Sequence, residues 1–183
     1  MGPITFVSTN QNKYLEVQLI LSTQNISVDF AQISLVEVQS DSLEEIARHK
    51  AKTAFEKLGR PVIVEDDGLF IDSLGGFPGP YSSFVFKTIG NDGILKLLSG
   101  SAKRSAYFSS LIAFYNGKTL SISEGRVDGR ISERITEGSG WGYDPIFMPV
   151  STDLTFAQLK KRKNKYSHRK KALEKFAQWY QKL

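Results

Sequence analysis

Three consecutive carboxylates, Glu65, Asp66 and Asp67, follow the apolar run Val62 to Val64. The run is short and β-branched, as a buried strand is, so the carboxylates stand where charge is costly. Side by side they repel one another and lose hydration unless a cation or a hydrogen-bond network compensates them. A hard divalent cation such as Mg2+, which takes oxygen ligands, is the economical compensation. The competing reading is an exposed acidic turn before Gly68, and for a lone Glu-Asp pair it would be preferred. Downstream, Leu74 to Tyr81 packs three glycines and two prolines around Phe77 and Tyr81, which reads as a rigid pocket wall.

Four other stretches carry candidate groups. Ser8 to Lys13 (STNQNK) stands where a strand turns into a helix, and a helix amino terminus with Ser8, Asn10 and Lys13 can hold phosphates. Ordinary capping by Asn10 or Asn12 explains the same residues, and taken alone it explains them better. Glu37 is by itself a surface glutamate; beside the Glu65 to Asp67 strand end it completes an oxygen set for Mg2+. Trp141 to Pro145 (WGYDP) offers aromatic faces and one carboxylate, as recognition of a flat heterocycle requires. A core loop with Asp144 capping a turn fits equally well. Lys163 to Arg169 (KNKYSHR) reads by default as a solvated basic face with Ser167 as helix cap, yet its one histidine lies in a dense cationic block.

These groups need a scaffold, and the periodicity supplies one. Strands are expected at Ile4 to Ser8 and Ile26 to Ile33, with a helix from Asn12 to about Ser22 directing Leu15 and Leu19 toward a core. The clearest helix spans Leu43 to Leu58, with Ser42 and Glu45 as a capping box and Gly59 and Pro61 as terminators. A short helix is expected over Asn91 to Leu98. Strands follow at Ser105 to Tyr115 and Thr119 to Val127 about an Asn116-Gly117 turn, then near Gly129 to Ile135, and a last helix runs from Arg169 to about Gln181. Helices alternating with strands early and antiparallel strands later predict an α/β fold, a mixed sheet flanked by helices in two lobes, with the ligand in a cleft between them.

Composition narrows the chemistry. The 183 residues are 40% hydrophobic, enough for one domain with a sizeable core. There are no cysteines, which excludes disulfides, thiolate nucleophiles and cysteine-ligated zinc, and only two histidines, His49 and His168. Any metal therefore sits on oxygen. No stretch is long and apolar enough to be a membrane span or a signal peptide, so a soluble, cytoplasmic protein is expected. The net charge of +5 is local: Lys160 to Lys171 holds eight of the 24 Lys and Arg and no acid. Such a block attracts a nucleoside triphosphate or a nucleic-acid backbone equally well. No GxxxxGK[ST] phosphate loop occurs.

In order, STNQNK, Glu37, EDDGL, GGFPGPY, WGYDP and KN followed by SHR resemble the inosine triphosphate pyrophosphatase family, enzymes that remove non-standard purine nucleoside triphosphates from the nucleotide pool. The resemblance runs from Ser8 to Arg169. It implies an elongated mixed fold with a central cleft, a homodimer, and Mg2+-dependent cleavage between the α and β phosphates of ITP, dITP or XTP. By the same resemblance, the turn Ser8, Thr9, Asn10, Gln11, Asn12 and Lys13 holds the triphosphate. Glu37 and Asp66 hold the metal, and Asp66 or a neighbour activates water. Asp67, Trp141, Gly142, Tyr143, Asp144, Lys163, His168 and Arg169 complete the substrate site. Hydrolysis at the α phosphorus has the same needs on chemical grounds: a cation, a placed water and a carboxylate base. Coupling among Glu65, Asp66 and Asp67 leaves the identity of the base open.

Three residues depart from the family pattern: Asp67 where a small hydroxyl residue is usual, Ser83 where Lys or Arg is frequent, and Arg162 before Lys163 where Glu is frequent. Lys87, one helical turn from Ser83, is the candidate substitute. Two other readings compete. One is the related septum-inhibitor type of nucleotide pyrophosphatase, with other modified nucleotides as substrates. The other is a nucleic-acid-binding protein using Lys160 to Lys171, which leaves the carboxylate cluster unexplained.

Overall fold

The computed structural model describes residues 3–183. Strand β1, Ile4–Val7, is buried along its whole length. It passes through a turn capped by Asn10 into helix α1, Gln11–Ser22. Strand β2, Val28–Ala31, pairs parallel with β1 in the register Ile4 to Val28. Helix α2, Leu43–Leu58, has the expected bounds, with Ser42 accepting from the Glu45 amide and Gly59 closing the end in the left-handed conformation. The capping box is only half formed. The Glu45 carboxylate accepts from the Ser40 hydroxyl, and Ser40 Oγ in turn accepts the Ser42 amide.

Strand β3, Val62–Ile71, pairs parallel with the other side of β1. Because β2 and β3 flank β1, the two right-handed crossovers place α1 and α2 on opposite faces of the strands. The ten residues of β3 correct the expectation of a strand that ends at Val64: it runs straight through the carboxylates. Phe77-Pro78 is a cis peptide bond, and the two-residue strand β4, Pro78–Gly79, turns back against β3. Helix α3, Ser82–Thr88, lies where no element was expected, and α4, Gly90–Leu97, follows it.

Strands β5, Ser105–Tyr115, and β6, Leu120–Ile131, are joined by a turn in which Asn116 Oδ1 accepts the Lys118 and Thr119 amides. The two strands expected after Asn116 are thus one. Strand β7, Phe147–Pro149, pairs antiparallel with β6. Short helices α5, Phe156–Leu159, and α6, Lys163–Tyr166, precede the last helix α7, His168–Tyr180. Among the described residues the sheet has seven strands in the order β2-β1-β3-β5-β6-β7, with β4 beside β3.

Two compact units share this chain. Among the described residues, unit 1 comprises 3–66, 110–125 and 169–183, and unit 2 comprises 67–109 and 126–168. In unit 1, α1 and α7 pack Val17, Leu21, Leu173 and Phe176 against Phe6, Ile63, Ile112 and Phe114. Leu15 and Leu19, expected in this core, are 51% and 58% exposed; Val17, Ile20 and Leu21 take the buried face of α1. Unit 2 centres on Leu69, Ile71, Ile94, Phe108, Phe147 and Phe156.

Candidate active site

Side chains alternate along a strand, so Asp66 points away from both Glu65 and Asp67. Glu65 faces α1 and α7, and Asp66 faces α2. In unit 1, Asp66 Oδ1 accepts a hydrogen bond of 3.0 Å from Lys50 Nζ, and the same ammonium donates to Glu37 Oε1. Asp66 Oδ2 is buried without a hydrogen-bond partner among the described residues. Burial pushes the Asp66 carboxyl up to about 6, with Glu37 adding a little and Lys50 and Lys13 pulling the other way. Lys50 goes the opposite way energetically. Burial lowers its pKa, but Asp66 and Glu37 outweigh burial and the net shift is upward. The difference has a simple cause: two carboxylates attract Lys50 strongly enough to outweigh its burial, whereas burial of Asp66 outweighs the pull of Lys50 and Lys13. Two anions around one cation leave a net charge of −1.

Glu65 is fully engaged. Ser110 Oγ donates to its Oε1 at 2.6 Å, Arg169 Nε lies 2.8 and 2.9 Å from its two oxygens, and Lys13 Nζ approaches to 3.9 Å. Arg169 also pairs with Glu16 and is fully buried. Expected at the base, Arg169 therefore belongs to the interior of unit 1, with carboxylates as its contacts. In the first turn of α1, Asn10 Oδ1 accepts the Asn12 and Lys13 amides and Ser8 Oγ accepts the Asn10 amide. The capping geometry is present, and it leaves Thr9, Gln11 and Asn12 exposed at the helix start.

Unit 2 gathers most of the groups expected around the base. Lys163 Nζ donates to Asp144 Oδ2 at 2.8 Å, and both residues are buried. The Trp141 amide donates to the same carboxylate oxygen at 3.1 Å, and Lys163 Nζ stands 5.3 Å from the Trp141 ring. Gly140 permits this packing: a Cβ there would lie 2.5 Å from Asp144 Oδ2, at a φ of +140°. His168 stacks on Phe108, with centroids 4.6 Å apart, and its Nε2 is 3.8 Å from Asp67 Oδ2. Tyr143 is a core residue. Its hydroxyl donates to the Ser82 carbonyl, and burial raises its pKa. Ser83 and Lys87 lie on the exposed side of α3.

Lys50 and Asn91 escaped the sequence reading. Lys50 has a visible signal, a lysine on the apolar stripe of α2. Asn91 has none: its Nδ2 donates 3.1 Å across the fold to the Gly142 carbonyl, holding the Trp141 to Asp144 loop. No group of three His, Cys, Asp or Glu side chains is gathered for a metal among the described residues. Glu37 and Asp66 form an oxygen pair that meets only at Lys50.

A mixed sheet flanked by helices defines an α/β protein. Solved structures share the whole architecture: a Ham1 protein from Coxiella burnetii superposes with a TM-score of 0.86 at 28% identity over 98% of this chain and 100% of that one. The Ham1 protein of Staphylococcus aureus gives 0.83 at 28% identity over 97% of this chain and 98% of that one. The Ham1 family profile matches residues 4–179, and the chain belongs to that family. Among relatives, the dITP/XTP pyrophosphatase of Methanopyrus kandleri is 50% identical over 97% of this chain and 95% of its own length. That of Hyperthermus butylicus is 46% identical over 96% of this chain and 93% of its own.

Proposed function

We propose that this protein is a nucleoside triphosphate pyrophosphatase that hydrolyses dITP, XTP and ITP to the monophosphate and pyrophosphate, its two units acting as one catalytic domain. The observation that carries the reading is Asp66, a buried carboxylate whose Oδ1 is held by Lys50 while Oδ2 has no partner among the described residues. A carboxyl with a pKa of about 6 is ionised at neutral pH yet basic enough to take a proton from water. Glu65 is excluded from that role, because Arg169 and Ser110 already bind both its oxygens.

The residues fit a divalent cation: Oδ2 of Asp66 and the Glu37 carboxylate are oxygen donors in a cluster of net charge −1, and Mg2+ commonly binds through one or two carboxylates, with water and substrate phosphate completing its shell. When bound, Mg2+ would neutralise charge on the triphosphate. The protein's own groups do the rest. Lys50, through Oδ1, fixes the Asp66 carboxylate where the attacking water would be held and give up its proton. The α1 start and Lys13 present N–H groups and a charge to the phosphates. Arg169 acts through Glu65, whose carboxylate lies beside Lys13.

At the base end, Lys163 is a donor held in place by Asp144, with the Trp141 ring beside it. Hypoxanthine and xanthine present an acceptor oxygen at position six, whereas adenine presents an amino donor that faces Lys163 donor to donor. Selectivity then comes from an unsatisfied buried donor in the adenine complex. The test is the rate with dITP, XTP and ITP against dATP and ATP in Mg2+. Turnover confined to the first three supports the reading, and equal rates on ATP remove it.

A further inference from the structure

The first part of the basic run is absorbed by none of these roles. Lys160, Lys161 and Arg162 form a single 3-10 turn between α5 and α6, within unit 2. With Ser139, Gln158 and Leu159 they line a cavity of about 540 Å³. Such a volume suits a small ligand.

Part of the run is neutralised within the fold. Lys163 is held by Asp144, Arg169 by Glu65 and Glu16, and Lys170 by Glu174. Lys160, Lys161 and Arg162 are exposed and make no ion pair with a carboxylate among the described residues. Three like charges in one turn repel one another, and an anion between them relieves the repulsion.

The cavity is also built rather than incidental. Thr155 and Gln158 close a complete capping box at the start of α5, which fixes Gln158. The Ser139 amide donates to the Ala157 carbonyl at 3.0 Å, pinning the opposite wall to the same helix. Gly138 allows that approach, since a Cβ there would stand 2.3 Å from the Ala157 oxygen. Lys160 itself adopts φ 51° and ψ −129°, backbone that suits glycine. A lysine kept in strained backbone points to a use for its side chain.

We propose that this cavity is a second anion site, which takes a small polyphosphate: pyrophosphate, tripolyphosphate or the phosphate tail of a nucleotide. Three adjacent cations match the charge of such a group. A nucleic-acid strand needs a basic track several nucleotides long, whereas Lys163 and Arg169, further along the run, are buried against carboxylates inside the fold. The site does not depend on the proposed reaction.

The test is a titration of the isotope-labelled full chain with sodium tripolyphosphate in the absence of divalent cations, following the amide resonances of Ser139, Lys160, Lys161 and Arg162. Saturable shifts at these positions are expected. The exposed double substitution Lys161→Glu with Arg162→Glu should weaken that binding about tenfold or more while leaving shifts at Asn12 and Lys13 as in the parent. Lys160→Gly, which removes the strain, should raise the melting temperature and still weaken binding. The proposal is overturned if residues 160–162 do not shift at millimolar tripolyphosphate, or if the double variant binds as well as the parent. A single-stranded oligonucleotide that saturates the same resonances at a lower phosphate concentration overturns it too, in favour of a nucleic-acid surface.

Discussion

Asp66 and Glu65 are adjacent, chemically alike and both shielded from solvent, yet the protein treats them in opposite ways. Glu65 is bound on both oxygens by Ser110 and Arg169, while Asp66 keeps one oxygen bare and its pKa near 6. The catalytic form is the ionised one, so kcat/KM should rise with pH through an apparent pKa near 6, and this limb should move to lower pH as Mg2+ is raised, because cation and proton compete for the same carboxylate. Asp66→Asn should lower turnover by about 10²-fold or more and abolish that limb. Its stability should change with the opposite sign. A folded-state pKa above the unfolded value of 3.8 means that wild type loses stability as pH rises from about 4 to about 6. The melting temperature of Asp66→Asn relative to wild type should therefore be higher at pH 8 than at pH 5. A pH-independent difference, or an acid limb retained by the variant, would assign the base elsewhere. The sequence placed the three carboxylates together but left the base open; strand alternation and the positions of Lys50 and Arg169 separate them, and those contacts span 16 and 104 residues.

At the scale of elements, periodicity predicted α2 to the residue, because its apolar stripe, Ser42 cap and Gly59 stop agree. It erred where local signals are weak. β3 continues through charged residues because Glu65 and Asp66 find partners on facing helices, and α1 rotates Leu15 and Leu19 outward because Val17, Ile20 and Leu21 fill the core. The loop from Trp141 to Pro145 reads from sequence equally well as a recognition element or a core loop, and its support by Asn91 leaves no sequence signal. Gly140→Ala places a Cβ against Asp144 and a side chain at φ +140°. It is expected to raise KM for dITP by about tenfold or more and to narrow the preference over dATP, with a smaller effect on kcat. An unchanged KM would take this loop out of base recognition.

For the whole molecule, the chain passes between its two units at four places, after Asp66, Ser109, Gly125 and His168. Asp66 and Asp67, though adjacent, belong to different units, as do His168 and Arg169. The order of motifs made this family legible from sequence. The charge distribution was not legible, since a run of eight cations that reads as one basic patch has Lys163 and Arg169 buried against internal carboxylates, while Lys160, Lys161, Arg162, Lys165 and Lys171 are exposed. The central claim is that one bond, between the α and β phosphates, is cut in a non-standard purine nucleotide. Its most direct test is to incubate the protein with XTP and Mg2+ and separate the products. The account predicts equal amounts of XMP and pyrophosphate from the first turnovers, with no XDP. XDP with orthophosphate, or no turnover of XTP, would contradict it.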